Sequence, residues 1–422
     1  MTGLSPSENR IVEHIEARRS AMAAQLVEWA HVNSGSRHLA GLETMRTLIE
    51  ASLVPLADSV ETRAPNPVTT IDDAGREAGL DHGSNLLARK RPHATRRMIL
   101  TGHMDTVFPA DHAFQHCRML DTDMLNGPGT ADMKAGLIVM IEALAALESV
   151  NAIPELGWDV VVNADEEVSS LGSAALLREA ARRCQVGMTF EPSLTPEGRL
   201  ASSRRGSGNF IGAVAGRAAH AGRNPEDGRN AVIAAADLAL RLNSLSEEIP
   251  GLATNVARIA GGSANNIVPD QAVLSWNMRP LGQAVQHRAE AAIATIVAAI
   301  QEEHDVAITV SGQFARPAKP FDVRHQALFG LIREAGADLG LHIDWQPSGG
   351  VCDGNNIAAE NVIVVDTMGA RGGAIHTDRE FVILSSLTER AALAAVSIMR
   401  IAQGRLDAAL QSGSGWMGAK HV

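Results

Sequence analysis

Five short segments between residues 102 and 377 carry the side chains that could do chemistry. They are Gly102-His103-Met104-Asp105, Gly129-Thr130-Ala131-Asp132-Met133-Lys134, Asp165-Glu166-Glu167, Glu191 and Ile375-His376-Thr377. As candidate ligands they supply two histidines and three carboxylates, a set that reads as a two-zinc hydrolase centre; cobalt or manganese would substitute at such mixed ligands. His103 follows the apolar run Met98-Ile99-Leu100, so it stands at the carboxyl end of a predicted strand. Asp105, two residues on and on the same side of the chain, is placed to accept the second ring proton of His103 and fix its tautomer.

Asp132 follows Asn126-Gly-Pro-Gly129 and precedes a helical stretch. It projects from a glycine-rich loop as a ligand would, and an aspartate there equally serves as a helix N-cap. Glu166 and Glu167 lie at the exit of the run Val160-Val-Val-Asn163. Adjacent carboxylates repel unless a cation or a proton compensates, so one can bind metal while the other holds a proton. Glu191 ends another apolar run, 186–190, just before Pro192. His376, taken alone, is a turn residue in a glycine-rich loop, and its meaning comes from the ensemble.

These residues need a scaffold that gathers strand ends. Runs at 98–100, 158–162, 186–190 and 362–366 alternate with helical stretches at 134–147 and 174–181, a strand-helix rhythm that predicts a mostly parallel mixed sheet flanked by helices. The carboxyl ends of such strands converge on one crevice. Helical spacing over 7–30 and again over 39–53 predicts two opening helices packed on the core. Between about 203 and 315 the order becomes strand, helix, strand, strand, helix, strand, a split βαβ unit complete in itself. Metal-type residues flank it on both sides, so it reads as an inserted domain. The division is 1–203 and 316–422 for the catalytic α/β domain and 204–315 for the ferredoxin-like α+β insertion.

The 422 residues are 45% apolar and carry a net charge of −11. That argues against nucleic acid or anionic membrane as the main partner, because both need a basic face. Charges spread through residues 8–19 leave no signal-peptide core, and no run reaches the roughly 20 apolar residues of a membrane span. Cys117, Cys184 and Cys352 are too isolated for a disulfide framework and suit a reducing cytoplasm. A Ser/Gly patch at 411–415 is read as a disordered tail. The sequence has no serine-nucleophile elbow, zincin helix or P-loop, and no G-x-G-x-x-G after a strand.

Thr101-Gly-His-Met-Asp-Thr-Val107, Gly127-Pro-Gly-Thr-Ala-Asp-Met-Lys-Ala-Gly136, Asp165-Glu-Glu167, Glu191-Pro192 and His376 closely resemble, in order and spacing, one zinc metallopeptidase superfamily. It includes carboxypeptidase G, aminoacylase, acetylornithine deacetylase and succinyl-diaminopimelate desuccinylase. The resemblance implies that Asp132 bridges two zinc ions, with His103 and Glu191 completing one site and Glu167 and His376 the other. Glu166 matches the catalytic base. In the insertion, which the family uses as lid and dimerisation module, His220 matches an oxyanion donor reaching the site from the partner subunit of a homodimer. Asn266 and Arg279 match binders of a substrate carboxylate, for which an arginine fork is the natural partner. With no tyrosine in the chain, one common oxyanion donor is missing, which adds weight to His220. Gly349-Gly-Val-Cys-Asp-Gly-Asn355 occupies the position of a family loop near the site, making Gly350 and Asp353 substrate-binding candidates, although Val351-Cys352 departs from the family's small hydroxyl pair.

The expected reaction is hydrolysis of an amide beside a free carboxylate, in a small peptide or an N-acyl amino acid, with Glu166 as general base. Glutamate rather than aspartate at 191 leans toward the carboxypeptidase G and deacylase branches. Release of a C-terminal amino acid is the first reading and removal of an N-acyl group the second. A non-catalytic metal-dependent binding protein would show a lost base or ligand, and a bare dimer scaffold would leave Arg279 and His220 without purpose.

Overall fold

The computed structural model describes residues 3–72 and 75–411. Beyond Gln411 the predicted Ser/Gly tail lies outside the described residues. The main sheet has six strands in the order Ser59–Arg63, Asn85–Lys90, Leu156–Asn163, Arg96–His103, Val186–Thr189 and Ile363–Val365. The last four are mutually parallel, and Asn85–Lys90 runs antiparallel to both its neighbours, Leu156–Asn163 and the edge strand Ser59–Arg63. Every residue of Leu156–Asn163 is buried, as expected of a strand covered on both faces.

The two-residue pleat divides these strands between two cores. Met98, Leu100, Val160, Val162, Ile363 and Val365 join the larger one, with the helices Pro6–Ala17, Arg19–Ala30, Ala135–Ser149, Val323–Asp338 and Ser385–Ala402. Ile99, Val161 and Val364 point the other way, onto Leu176, Leu177 and Ile357 of Ala174–Ala181 and Asp353–Ala358. The helix predicted over 7–30 is broken in two at Arg18. There the N–H of Arg18 bonds Ile15 O, and its guanidinium meets the buried carboxylate of Glu142 at 3.0 Å.

After Val186–Thr189 the chain builds a second, antiparallel sheet before returning in Ile363–Val365. Its order is Leu252–Gly261, Gln271–Pro280, Ser207–Ala215, Ala307–Arg316, with the helices Ala231–Glu248 and Gln283–His304 packed against it. This unit has its own core, including Val214, Leu238, Leu242, Leu274 and Ile300. Phe210 anchors it, stacked on Trp276 at 5.4 Å and edge-on to Phe314 at 5.2 Å. The order of strands and helices agrees with the sequence pattern.

A small sheet, Gly372–Gly373, Phe381–Ile383, Met124–Asn126 and Arg118–Met119, ties the loop bearing His376 to the loop bearing Asp132. Among the described residues no helix is long and apolar enough to cross a membrane.

Candidate metal centre

Three neighbouring parallel strands deliver their carboxyl ends to one crevice. Arg96–His103 sits between the other two, so His103 lies between Glu166 and Glu167 on one flank and Glu191 on the other. Asp132 arrives from above on its loop, and His376 from the glycine-rich turn, at a φ of 63°. His103 Nε2 is 3.3 Å from Asp132 Oδ1 and 3.7 Å from Glu191 Oε2. His376 Nε2 is 3.2 Å from both Asp132 Oδ2 and Glu167 Oε2.

Two candidate ligand triads result, His103–Asp132–Glu191 and Asp132–Glu167–His376, each with ligand atoms within 4.8 Å of one another. They share Asp132. Their donor chemistry fits cations, because His103 Nε2, Asp132 Oδ1, Glu167 Oε1 and Glu191 Oε1 are buried and have no hydrogen-bond partner. A third cluster, Asp237–Glu303–His304, already holds the Arg241 guanidinium, which pairs with both acids.

The electrostatics agree. Burial pushes Glu167 up to about 8, with Asp132 adding to it. Burial also raises Glu166 to about 7 while Arg316 pulls against it. Glu191 is raised by burial, and His376 rises to about 10 through its bonds to Asp132 and Glu167. Asp132 is the exception: burial works to raise it, but the two imidazoles hold it low. Such a crowd of buried acids favours positive charge at its centre.

Residues behind the triads hold them in place. Asp105 meets His103 with two oxygens: His103 Nδ1 faces its main-chain carbonyl at 3.0 Å and the nearer carboxylate oxygen at 3.4 Å. The carboxylate itself accepts from Ser36 Oγ at 2.7 Å and from the N–H groups of Glu166 and Glu167 at 3.1 and 3.2 Å. Asp105 therefore orients both the histidine and the glutamate pair. Glu380, absent from the sequence reading, does the same for Asp132. Buried, it accepts the N–H groups of Gly129, Ala131 and Asp132 at 3.2, 2.9 and 3.0 Å.

A cavity of about 480 Å³ opens on the cluster. Asp132, Glu166, Glu167, Glu191, His376 and Gly350 line it. So does Arg204, which sequence reasoning missed; it is buried, with its Nε on Asp366 at 2.9 Å. Arg279 reaches the neighbouring loop, donating to Gly349 O at 3.0 Å. Asp353 does not line this cavity. It is turned inward, accepting from Ser170 Oγ at 2.6 Å and Asn163 Nδ2 at 2.8 Å. His220 and Asn266 are exposed on the second unit, on segments joined by the Ala221 N–H bond to Asn266 O at 3.0 Å; neither lines the cavity.

The profile of peptidase family M20/M25/M40 matches residues 99–400. Carboxypeptidase G2 of Pseudomonas sp. (strain RS-16) is 27% identical over 407 residues, 94% of this chain and 93% of that protein. Succinyl-diaminopimelate desuccinylase 2 of Shewanella loihica is 26% identical over 326 residues, 72% of this chain and 84% of that protein. In fold, the chain is similar to aminopeptidase PepT from Bacillus cereus ATCC 10987, with a TM-score of 0.68 at 23% identity over 91% of this chain and 99% of that one. The M20 family metallo-carboxypeptidase Sso-CP2 from Sulfolobus solfataricus gives 0.67 at 12% identity over 90% and 99%. With the match spanning the strand ends and loops that build the crevice, the chain belongs to peptidase family M20/M25/M40 and is a metal-dependent hydrolase acting on amide bonds.

Proposed function

We propose that this chain is a carboxypeptidase G-like enzyme that hydrolyses the amide bond next to a free carboxylate and releases a C-terminal amino acid. Two zinc ions, replaceable by cobalt or manganese, would be held by His103, Asp132 and Glu191 and by Asp132, Glu167 and His376. Bound there, the ions would supply Lewis acidity to the amide carbonyl and acidity to the attacking water. Glu166 would take the water's proton and pass it to the leaving amine, as a general base whose affinity for protons lies near neutrality. Arg204 within the cavity and Arg279 at its rim are the cations available to a substrate carboxylate. The observation that carries this reading is the pair of triads sharing Asp132, with four unpartnered ligand atoms around the cavity that Glu166 lines.

His220 lies outside the cavity of its own chain, which supports a homodimer in which it serves the partner's site as oxyanion donor. The three cysteines are free thiols, which supports a cytoplasmic setting.

The alternative is removal of an acyl group from an amino acid's nitrogen. A second cavity, about 500 Å³, adjoins Glu167 and is lined in part by Val107, Pro109, Ala110 and Val168. It offers more room than an acetyl group needs and favours the peptidase reading. The test is a panel of folyl-glutamates, dipeptides and N-acyl amino acids assayed with zinc, beside Glu166→Gln. That variant is expected to retain zinc and lose about 100-fold or more in kcat. Near-normal turnover by Glu166→Gln would remove it as the base, and a preference for acetylated amino acids would select the deacylase.

A further inference from the structure

Glu166 is gripped from behind by a residue of the second sheet. Arg316 ends the strand Ala307–Arg316, at the point where the chain leaves the second sheet, and is 4% exposed. Its Nη2 lies 2.8 Å from Glu166 Oε1, 2.8 Å from the main-chain oxygen of the same residue and 2.6 Å from Ser170 Oγ. Ser170 in turn donates to Asp353, whose carboxylate is 3.7 Å from Arg316. On the opposite side Asp105 accepts the N–H of Glu166. The N–H, the carbonyl and one carboxylate oxygen of residue 166 are thus each held. Glu166 lines the 480 Å³ cavity whereas Arg316 does not; Arg316 borders a separate space of about 320 Å³, with Ser169, Ser207, Asn209 and Gln313.

From this arrangement we infer that Arg316 is a positioning residue for the hydrolysis: it clamps the carboxylate and the main chain of Glu166 together and fixes the base in the orientation that faces the substrate cavity. The inference rests on Glu166 being the base. A general base works only within hydrogen-bond reach of the proton it takes, and a glutamate has three side-chain torsions with which to miss it. Because the clamp comes from the last residue of a strand of the second sheet, the placement of that sheet and the orientation of the base are mechanically joined through one guanidinium. Arg316 touches neither the candidate ligands nor the cavity, so its loss should alter turnover rather than substrate affinity.

The experiment compares wild type, Arg316→Ala, Arg316→Lys, Glu166→Gln and the double variant, all loaded with zinc, on the panel substrate turned over fastest. Arg316→Ala is expected to keep its zinc and lose about 100-fold in kcat, with KM changed by less than about threefold. Arg316→Lys, which keeps a charged nitrogen but on a shorter stem that cannot place it where Nη2 meets Glu166 and Ser170, should fall between. Added guanidinium should restore part of the Arg316→Ala rate, since the 320 Å³ space borders the lost group. The double variant should be no slower than Glu166→Gln, because the clamp acts through that side chain. A rise in KM at unchanged kcat, or an Arg316→Ala rate within about threefold of wild type, would overturn the inference. A fast Glu166→Gln would instead overturn the base assignment. If Arg316→Ala fails to fold, Arg316→Gln carries the same comparison. A substrate-free arm is the crystal structure of the zinc-loaded arginine variant: a Glu166 carboxylate displaced or disordered supports the clamp, and an unmoved one refutes it.

Discussion

Removing the Glu380 carboxylate should loosen the metal centre without touching a ligand. Three main-chain N–H groups, those of Gly129, Ala131 and Asp132, end on its two oxygens. All three lie in a buried loop, so Glu380→Ala leaves donors that solvent reaches poorly. Each buried donor left unsatisfied costs roughly 1–3 kcal/mol, and relaxation of the loop should recover part of the sum, leaving about 3–5 kcal/mol for the alanine variant. Glu380→Gln keeps one oxygen, enough for Ala131 and Asp132, and turns an amide NH2 toward the N–H of Gly129, at a cost of about 1–3 kcal/mol. Both changes free the loop that carries Asp132, the acid common to the two triads, so zinc affinity should fall by about 10–100-fold. Denaturant unfolding in excess chelator reads the first effect apart from metal linkage, and competition with a chelator of known affinity reads the second. An alanine variant within about 1 kcal/mol of wild type and with unchanged zinc affinity would refute the view that Glu380 holds this loop.

A β-carbon at Gly136 would lie 1.9 Å from Phe190 O, so Gly136→Ala must push the strand exit that carries Glu191. It should cost roughly 2–4 kcal/mol in a melting experiment and weaken zinc binding; a neutral substitution would show that the exit is free to move. Asp322 caps the helix Val323–Asp338 by accepting the N–H groups of Arg324 and His325, both at 3.0 Å. Burial opposes the shift, yet the His325 N–H, the His325 ring and the Arg324 side chain bring its carboxyl down to about 2. A depressed acid stabilises above its unfolded value near 3.9, and that stabilisation is lost as pH falls from about 4 to about 2. The difference between wild type and Asp322→Ala, about 1 kcal/mol at neutral pH after solvent screening, should therefore shrink across that window; a constant difference would contradict the cap's charge. Mixing inactive His220→Ala and Glu166→Ala chains should restore activity through hybrid dimers, and no recovery after demonstrated subunit exchange would argue against a crossing histidine.

Much of the centre could be read in the sequence because His103, Glu166, Glu167 and Glu191 follow strands buried over all or nearly all their length, which appear as short apolar runs, while Asp132 is marked by the glycines before it. The strands Ser59–Arg63 and Asn85–Lys90 escaped that reading. The first is a half-exposed edge and the second loses burial toward its end, so neither shows a clear period. Charged residues that act at long range were equally silent. Glu380 holds Ala131 across 249 positions, Arg204 meets Asp366 across 162, and Arg316 meets the Glu166 carbonyl across 150. Nothing local marks such residues, since a lone arginine or glutamate reads as surface until its partner is placed beside it. For Asp353 the family loop suggested a substrate contact, whereas Ser170, Asn163 and Arg316 draw it inward.

Hydrogen bonding sorts the acids of the crevice more sharply than their positions along the chain. Asp105, Asp353 and Glu380 stay off the cavity and end on hydroxyl, amide or main-chain donors. Asp132, Glu167 and Glu191 line the cavity, and each keeps one buried oxygen without any donor. A buried lone pair left unpaired is costly unless a cation takes it, so this second group is the one suited to hold metal. Glu166 belongs to neither group. It lines the cavity, yet one of its oxygens is paired with Arg316. Two adjacent glutamates on one turn are thus separated chemically by what stands behind them: Glu167 turns an unpaired oxygen to the cluster as a ligand would, while Glu166 is braced like a group that must hold still and exchange a proton.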